Sequence, residues 1–347
     1  MMKIKTIKEP GFEEIVSCEE SASGLKAIVA IHNTRLGPAL GGIRMYPYAN
    51  QELAIQDVMR LANAMSYKSA AARLKLGGGK AVIIGNPTCD KTPELLKSMG
   101  KFIHCLKGRY YSAKDADITT EDLVEIAKET EYVTGLPESM GGSGDPSPWT
   151  AQSVLEGMRV CLNERMNRSD FDGVTVAVQG VGHVGFALAK LLHEEKARLI
   201  VSDVNPKAAD RAARELNAEI VAPNLLLDAE FDIFAPCAMG AVVNDQTIDM
   251  LACKVIAGGA NNQLADEAKH ALQLADKNIL YAPDYVINAG GVINIYVRDI
   301  LKEKNPMPWI KKTGDCLRTV FERSKQEGVP PSQVADELTG QILAGGV

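Results

Sequence analysis

Lys80 closes a run of three glycines, Gly77-Gly-Gly-Lys80, at the head of the apolar stretch Ala81-Val-Ile-Ile84. A lysine so placed can be drawn out of water, and desolvation disfavours its charged form. Lys68, twelve residues earlier, offers a second cation whose repulsion acts the same way. An amine brought toward neutrality is a usable general base. Two surface lysines flanking a turn are the plainer alternative. The segment does not read as an ATP phosphate loop. Leu74 stands where G-x-x-x-x-G-K-[ST] needs its first glycine, and Ala81 follows the lysine. Asp115, in Ser112-Ala-Lys-Asp115, adds a carboxylate ahead of a helical segment; by itself it reads as a helix cap or turn residue.

A second constellation is Gly180-Val181-Gly182-His183-Val184-Gly185, which fits G-x-G-x-x-G. It follows the apolar run Val174-Thr-Val-Ala-Val-Gln179 and opens a helical pattern, and Asp203 ends the next strand twenty-three residues after Gly180. That context is the fingerprint of a dinucleotide site. Glycines let the backbone approach a pyrophosphate at the positive end of the helix. Asp203 can accept hydrogen bonds from both ribose hydroxyls and would repel a 2′-phosphate. Val204 and Asn205 supply no arginine to hold one, so NAD is expected rather than NADP. Asn261-Asn262 and Asn288-Ala-Gly-Gly291 follow later apolar strands, at the strand ends where open α/β sheets bind ligands. Ordinary turn chemistry is the alternative there.

The elements that must position these residues can be read from periodicity. Leu25–Ile31 and Ala81–Ile84 read as strands, with a helix between them over Glu52–Met65 whose expected inner stripe is Leu53, Asp57, Leu61 and Ala64. The stretch Gly135–Pro148 is rich in Gly, Pro and Ser and reads as a linker, followed by a helix with Ser147 as N-cap and Pro148 in its first turn. Beyond it, strands at 174–179, 198–203, 232–236, 254–257 and 279–281 alternate with helices from about 182, 206, 245 and 266. This alternation predicts βαβ units and a parallel sheet. The fold class is therefore α/β with two domains. The expected division is an N-terminal α/β domain over 1–140, joined by a C-terminal helix at about 325–347, and a Rossmann-type doubly wound domain over 141–325.

Composition bounds the function. The chain has 347 residues, 46% hydrophobic and 24% charged, with a net charge of −6. An acidic chain without basic clusters is not expected to bind nucleic acid, whose affinity comes from neutralised phosphates. Nor is it expected to dock on anionic membranes. No run approaches the length of a membrane span, and no signal peptide is seen, so a cytoplasmic protein is expected. The seven cysteines are dispersed, without C-x-x-C, and the five histidines lack ligand spacing. Reduced thiols and no metal are expected.

Taken together, eight segments resemble the glutamate/leucine/phenylalanine/valine dehydrogenase family, and its leucine-specific members most closely. They are Leu36-Gly-Pro-Ala-Leu-Gly-Gly-Ile-Arg44, Met65-Ser-Tyr-Lys68, Gly77-Gly-Gly-Lys80, Ala113-Lys-Asp115, Val178-Gln-Gly-Val-Gly182, Phe234-Ala-Pro-Cys-Ala238, Ala257-Gly-Gly-Ala-Asn-Asn-Gln263 and Tyr281-Ala-Pro-Asp-Tyr-Val-Ile-Asn-Ala-Gly-Gly-Val292. The resemblance implies reversible, NAD-dependent oxidative deamination of an L-amino acid to a 2-oxo acid and ammonia, in a cleft between two domains that close on it. It implies Lys68 on the substrate carboxylate, Lys80 as the base that activates water, and Asp115 as proton carrier to the substrate nitrogen. Asn262 and Asn288 would orient substrate and nicotinamide. Ser147, Thr150, Cys237, Ala238 and Asn261 would line the cofactor site. His183, Gly185 and Gly259 depart from the residues usual in leucine-specific members. A homo-oligomer is implied, with octamers common.

The resemblance also addresses the substrate side chain. Glutamate-specific relatives carry a lysine two residues after Gly-Pro and a serine on the helix after Asn-Ala-Gly-Gly; here those positions are Leu40 and Ile295. With Gly41, Ala113 and Val292 they would form an apolar pocket for leucine, isoleucine and valine. Burying a glutamate carboxylate there is costly. A phenylalanine, valine or tryptophan dehydrogenase on the same scaffold is the enzyme alternative. An NAD-binding sensor without turnover is the other.

Overall fold

A computed structural model of the chain describes residues 2–238 and 240–345. The chain folds as two compact units. One holds the residues up to Asp145, Ile295–Lys304 and the residues from Thr339 onward; the other holds Pro146–Asn294 and Asn305–Leu338. Among the described residues no helix is long and apolar enough to cross a membrane.

The first unit contains β1 (Lys3–Ile7), β2 (Glu14–Glu20), β3 (Leu25–Asn33), β4 (Ala39–Tyr46), α1 (Gln51–Ala71), β5 (Gly77–Ile84), α2 (Pro93–Cys105), β6 (Tyr110–Lys114) and α3 (Thr120–Ala127). The strands form one mixed sheet in the order β1-β2-β3-β5-β4-β6. The β1, β2, β3 and β5 neighbours run antiparallel, whereas β4 lies parallel to both β5 and β6. One face packs on α2 and α3 through residues such as Val29, Ile43, Ile83, Met99 and Phe102. The other packs on α1 through Ile28, Ala30 and Val82 against Ala54, Val58 and Ala62.

The inner stripe of α1 is therefore Ala54-Val58-Ala62-Ser66, and the expected stripe is displaced: Leu53 is 45% exposed. The reason is close approach. A Cβ on Gly78 would lie 2.1 Å from the backbone nitrogen of Ser66 and 2.6 Å from the carbonyl of Ala62, so helix and strand meet backbone to backbone. Beside Gly78 only small residues, Ala62 and Ser66, fit on the helix.

The second unit begins with α4 (Ser147–Met166), then β7 (Thr175–Gln179), α5 (His183–Glu194), β8 (Arg198–Ser202), α6 (Pro206–Leu216), β9 (Glu219–Ile220), β10 (Ile233–Pro236), β11 (Val255–Ile256), α7 (Glu267–Asp276), β12 (Leu280–Tyr281) and α8 (Asp284–Ile287). α9 (Gly290–Ile295), α10 (Met307–Glu327) and α11 (Pro331–Leu343) follow. The sheet is parallel throughout, in the order β12-β11-β10-β7-β8-β9. Numbered within the unit this is 3-2-1-4-5-6 read from β9, the doubly wound order whose switch point lies between β7 and β10. Val176, Ala177 and Val178 are fully buried, as a strand covered on both faces requires.

Two expected features differ. The segment 245–251 forms only a 3-10 turn at Ile248–Met250. Asn244 starts the turn, its side chain accepting the N–H groups of Gln246 and Thr247, but the backbone becomes extended at Leu251 (φ −72°, ψ 118°) and the turn ends there. Ser147 is the first residue of α4 rather than its cap. Pro146 occupies the cap position, and its carbonyl accepts the Thr150 N–H at 3.0 Å.

The chain re-enters the first unit after α9 in a π-helical turn, Tyr296–Ile300. There Asp299 Oδ2 accepts the Gly135 N–H and the Ser143 hydroxyl, both at 2.7 Å. Arg298 donates to Glu138 Oε1 at 2.6 Å.

Candidate active site

In the first unit the chemistry gathers on the α1 face of the sheet. Strand alternation puts Leu40, Gly42 and Arg44 of β4 on that face. Lys80 of β5, registered with Ala30 of β3, shares it. Asp115 follows β6 directly, beside β4. Lys80 is 5% exposed, and its Nζ lies 3.1 Å from Asp115 Oδ2. Burial is the largest influence on Lys80 and pushes its amine below the ordinary value. Asp115 pulls the other way, and Arg44 adds to the lowering. The Asp115 carboxyl is pushed up by burial, but Lys80 and Arg44 outweigh this and hold it below the usual range. A buried amine and a carboxylate in contact, both moved from their ordinary values, form a pair able to exchange protons with a bound molecule.

Lys68 sits half-buried in the last turn of α1, two residues beyond the Ser66 contact with Gly78. Leu40 is 1% exposed and Ala113 7% exposed. The Gly41 carbonyl accepts the hydroxyl of buried Tyr110 at 2.6 Å.

The reading of residues alone missed Arg44 and Asp57. Arg44 Nε donates to Asp115 Oδ2 at 2.9 Å and its Nη1 to Asp57 Oδ2 at 3.0 Å. Asp57 also accepts the Tyr48 hydroxyl at 2.6 Å and Arg60 at 3.0 Å. The signal was present in Asp57, an acidic residue within an apolar helical pattern facing an arginine-bearing strand.

In the second unit the glycine loop joins β7 to α5. Gly182 is the cap of α5 and offers no side chain, so among the described residues no side-chain cap answers the first amides of the helix. A Cβ on Gly185 would lie 1.8 Å from the Gly180 carbonyl, which fixes that position as glycine where helix meets loop. Asp203 Oδ2 accepts the Val181 N–H and Oδ1 the Asn205 N–H, each at 2.8 Å. His183 is exposed and Val184 half-buried. This cradle fits a dinucleotide: unanswered amides at a helix N-terminus, with a carboxylate at the end of the neighbouring strand.

Cys237 and Ala238 follow β10 at the switch point. The Cys237 N–H donates to the Gln179 carbonyl at 2.7 Å, and burial pushes its thiol up to about 11, which keeps it protonated. Asn288 is 5% exposed and donates from Nδ2 to Asn261 Oδ1 at 2.8 Å. Its own Oδ1 is buried without a partner among the described residues, an acceptor suited to an incoming amide N–H. Asn262 holds a left-handed backbone (φ 51°), and its carbonyl accepts the Ala241 N–H at 2.6 Å. Thr150 follows Ser147 in the first turn of α4; a Cβ on Gly291 would come within 2.8 Å of the Thr150 hydroxyl. Val292 and Ile295, 7% and 9% exposed, lie on α9, at whose last residue the chain passes to the first unit.

Comparison with known proteins places these features in a family. Residues 13–136 match the dimerisation domain of Glu/Leu/Phe/Val dehydrogenases, and residues 202–313 match the Glutamate/Leucine/Phenylalanine/Valine dehydrogenase domain. A leucine dehydrogenase of Thermoactinomyces intermedius is 51% identical over 335 residues, 96% of this chain and 91% of that protein. A phenylalanine dehydrogenase of Bacillus thermotolerans is 44% identical, over 95% of this chain and 88% of that one. The crystal structure of L-tryptophan dehydrogenase from Nostoc punctiforme superposes with a TM-score of 0.86 at 40% identity, over 97% of this chain and 96% of that chain. The chain belongs to the glutamate/leucine/phenylalanine/valine dehydrogenase family, amino acid dehydrogenases that work with a nicotinamide cofactor.

Proposed function

We propose that the chain carries out the reversible oxidative deamination of branched-chain L-amino acids, leucine together with valine and isoleucine, with NAD as oxidant. The observation that carries the chemistry is the contact of buried Lys80 with half-buried Asp115 at 3.1 Å. Lys68 takes the substrate carboxylate by charge-assisted hydrogen bonds. Bound NAD supplies a hydride acceptor at the nicotinamide C4. Loss of the Cα hydride leaves a substrate iminium, and neutral Lys80 removes a proton from water as its oxygen adds to that carbon. Asp115, which has first taken a proton from the substrate ammonium so that the hydride can leave, then returns it to the nitrogen, which leaves as ammonia while the added hydroxyl gives up its proton and the carbonyl forms. In sum, amino acid, NAD and water give 2-oxo acid, ammonium, NADH and a proton.

The residues of the second unit hold the cofactor. The amides of Gly180–Gly185 and the α5 N-terminus take the pyrophosphate, and Asp203 takes the adenosine ribose hydroxyls. Asn288 Oδ1 accepts from the nicotinamide amide, with Asn261, Asn262, Cys237, Ala238, Ser147 and Thr150 around it. NAD is favoured over NADP because a 2′-phosphate would meet the Asp203 carboxylate. Leucine is supported by buried, apolar Leu40, by Ala113, Val292 and Ile295, and by the 51% identity to a leucine dehydrogenase. The match of residues 13–136 to a dimerisation domain supports a homo-oligomer.

The test is the absorbance of reduced nicotinamide in a panel of L-amino acids with NAD and with NADP. Leucine, valine and isoleucine are expected to react and glutamate to be rejected. A panel led by phenylalanine or tryptophan would replace this reading with an aromatic one. Nucleotide binding without turnover on any amino acid would favour a sensor.

A further inference from the structure

Arg44 Nε and Lys80 Nζ address the same oxygen of Asp115, Oδ2, at 2.9 and 3.1 Å. Among the described residues no donor addresses Oδ1. One oxygen is thus held by two cations and the other is left for a bound molecule. Arg44 is itself clamped from behind, because its Nη1 meets Asp57, which Tyr48 and Arg60 hold in turn. A guanidinium can bridge two carboxylates along its planar edge, whereas a lysine ammonium offers one point of charge.

We infer that Arg44 is a positioning residue for the deamination, holding Asp115 by Oδ2 so that Oδ1 faces the substrate nitrogen and setting the charge balance around Lys80. The inference rests on the reading of Lys80 and Asp115 as the reacting pair. The groups that face this pair are Arg44 from β4, Asp57 and Arg60 from α1, and Tyr48 after β4; the Tyr110 phenol, on the other face of the sheet, senses the Asp115 charge. Lys68 lies further along α1.

The sign of the effect is fixed by these charges. Deamination needs neutral Lys80, so its rate rises with pH as the amine loses its proton. The fixed charge of Arg44 favours the neutral amine, and Asp57 opposes it. Removing Arg44 should move the inflection to higher pH, and removing the Asp57 charge should move it lower.

The experiment compares Arg44→Gln, Arg44→Lys and Asp57→Asn with the parent. It uses kcat/KM for leucine against pH and 15N NMR titration of the Lys80 Nζ, assigned by its loss in Lys80→Arg. NADH binding serves as the control for folding. Arg44→Gln is expected to raise both midpoints by about 1 pH unit, the size of a single lost charge interaction near a buried group. Its kcat should fall more than tenfold with a smaller change in KM. Arg44→Lys should return the midpoints most of the way but recover kcat only in part, and Asp57→Asn should lower both midpoints. Unmoved midpoints in an Arg44→Gln protein that still binds NADH would overturn the inference, as would shifts of the same sign in Arg44→Gln and Asp57→Asn. If Arg44→Gln does not fold, an unmoved or raised midpoint in Asp57→Asn overturns it. A parent that oxidises no amino acid would overturn the proposed function instead, and the Nζ titration would still decide the case of Arg44.

Discussion

The carboxylate of Asp203 accepts the backbone N–H of Val181 at 2.8 Å, so the acidic residue at the end of β8 holds the glycine loop in place. Asp203→Ala should therefore do more than admit NADP. It should lower kcat/KM for NAD by about tenfold or more, the worth of a hydrogen bond to a charged group. The NAD:NADP ratio should fall toward unity, mostly through KM, because the ribose is remote from the reacting carbon. Steady-state kinetics with both cofactors check this. Comparable kcat/KM for the two in the parent would remove Asp203 from cofactor selection.

Lys80→Ala should abolish deamination, by about 100-fold or more as expected for loss of a general base. NADH affinity should stay within a few-fold, because the glycine loop and Asp203 belong to the other unit. In the parent the rate should rise with pH, with its inflection below the ordinary lysine value of about 10.4, because burial lowers the Lys80 amine. A Lys80→Ala protein within tenfold of parental kcat would sink the role.

Leu40 stands on the same face of the sheet as Arg44 and Lys80, two positions along β4 from Gly42. Leu40→Gly should favour larger side chains and raise phenylalanine relative to leucine in kcat/KM. One methylene changes discrimination by about 1–3 kcal/mol, so the ratio should move by at least tenfold. An unchanged ratio would place the side-chain pocket elsewhere.

Stability should depend on Asp232, which precedes β10 and ties three neighbouring interior strands, β7, β10 and β11, at their N-terminal ends. It accepts the Thr175 N–H at 3.0 Å and Lys254 Nζ at 2.8 Å. Burial pushes its carboxyl up, but these hydrogen bonds outweigh it and hold the folded value below the ordinary one. A depressed carboxylate stabilises the fold above its unfolded pKa of about 3.9 and ceases to do so as pH falls through the folded value. Asp232→Ala should cost about 1 kcal/mol at neutral pH, solvent screening keeping it near the low end. The gap to the parent should close in strong acid. Denaturant unfolding at the two pH values measures it, and a gap that persists in acid would assign the loss to packing.

What the sequence disclosed depended on how each element is buried. β7 and β8 are covered on both faces, so their apolar runs stand out, and the turn between β7 and α5 carries its own glycine pattern. Helix α1 was harder. Its inner face is mostly alanine and serine with the single Val58, which carry little hydrophobic signal, whereas the larger Leu53 and Leu61 lie off that face. The restraint that explains the small residues, contact with Gly78, comes from a strand six residues beyond the end of the helix. Arg44 was hidden for a similar reason: its partners Asp57 and Asp115 lie thirteen and seventy-one residues away, and no local period links them. Near residue 245 the spacing and the Asn244 cap both read as a helix start, but the backbone becomes extended at Leu251 after a single 3-10 turn.

The chain passes between its two units four times, after Asp145, Asn294, Lys304 and Leu338. No single cut in the gene therefore yields either unit as a contiguous piece. A fragment begun at Pro146 would keep Asp299 but lose Gly135 and Ser143, the two donors that anchor the Ile295–Lys304 segment. Dissection by truncation is thus closed to this protein. To isolate the nucleotide unit, Ile295–Lys304 would have to be replaced by a short designed link and the chain stopped near Leu338.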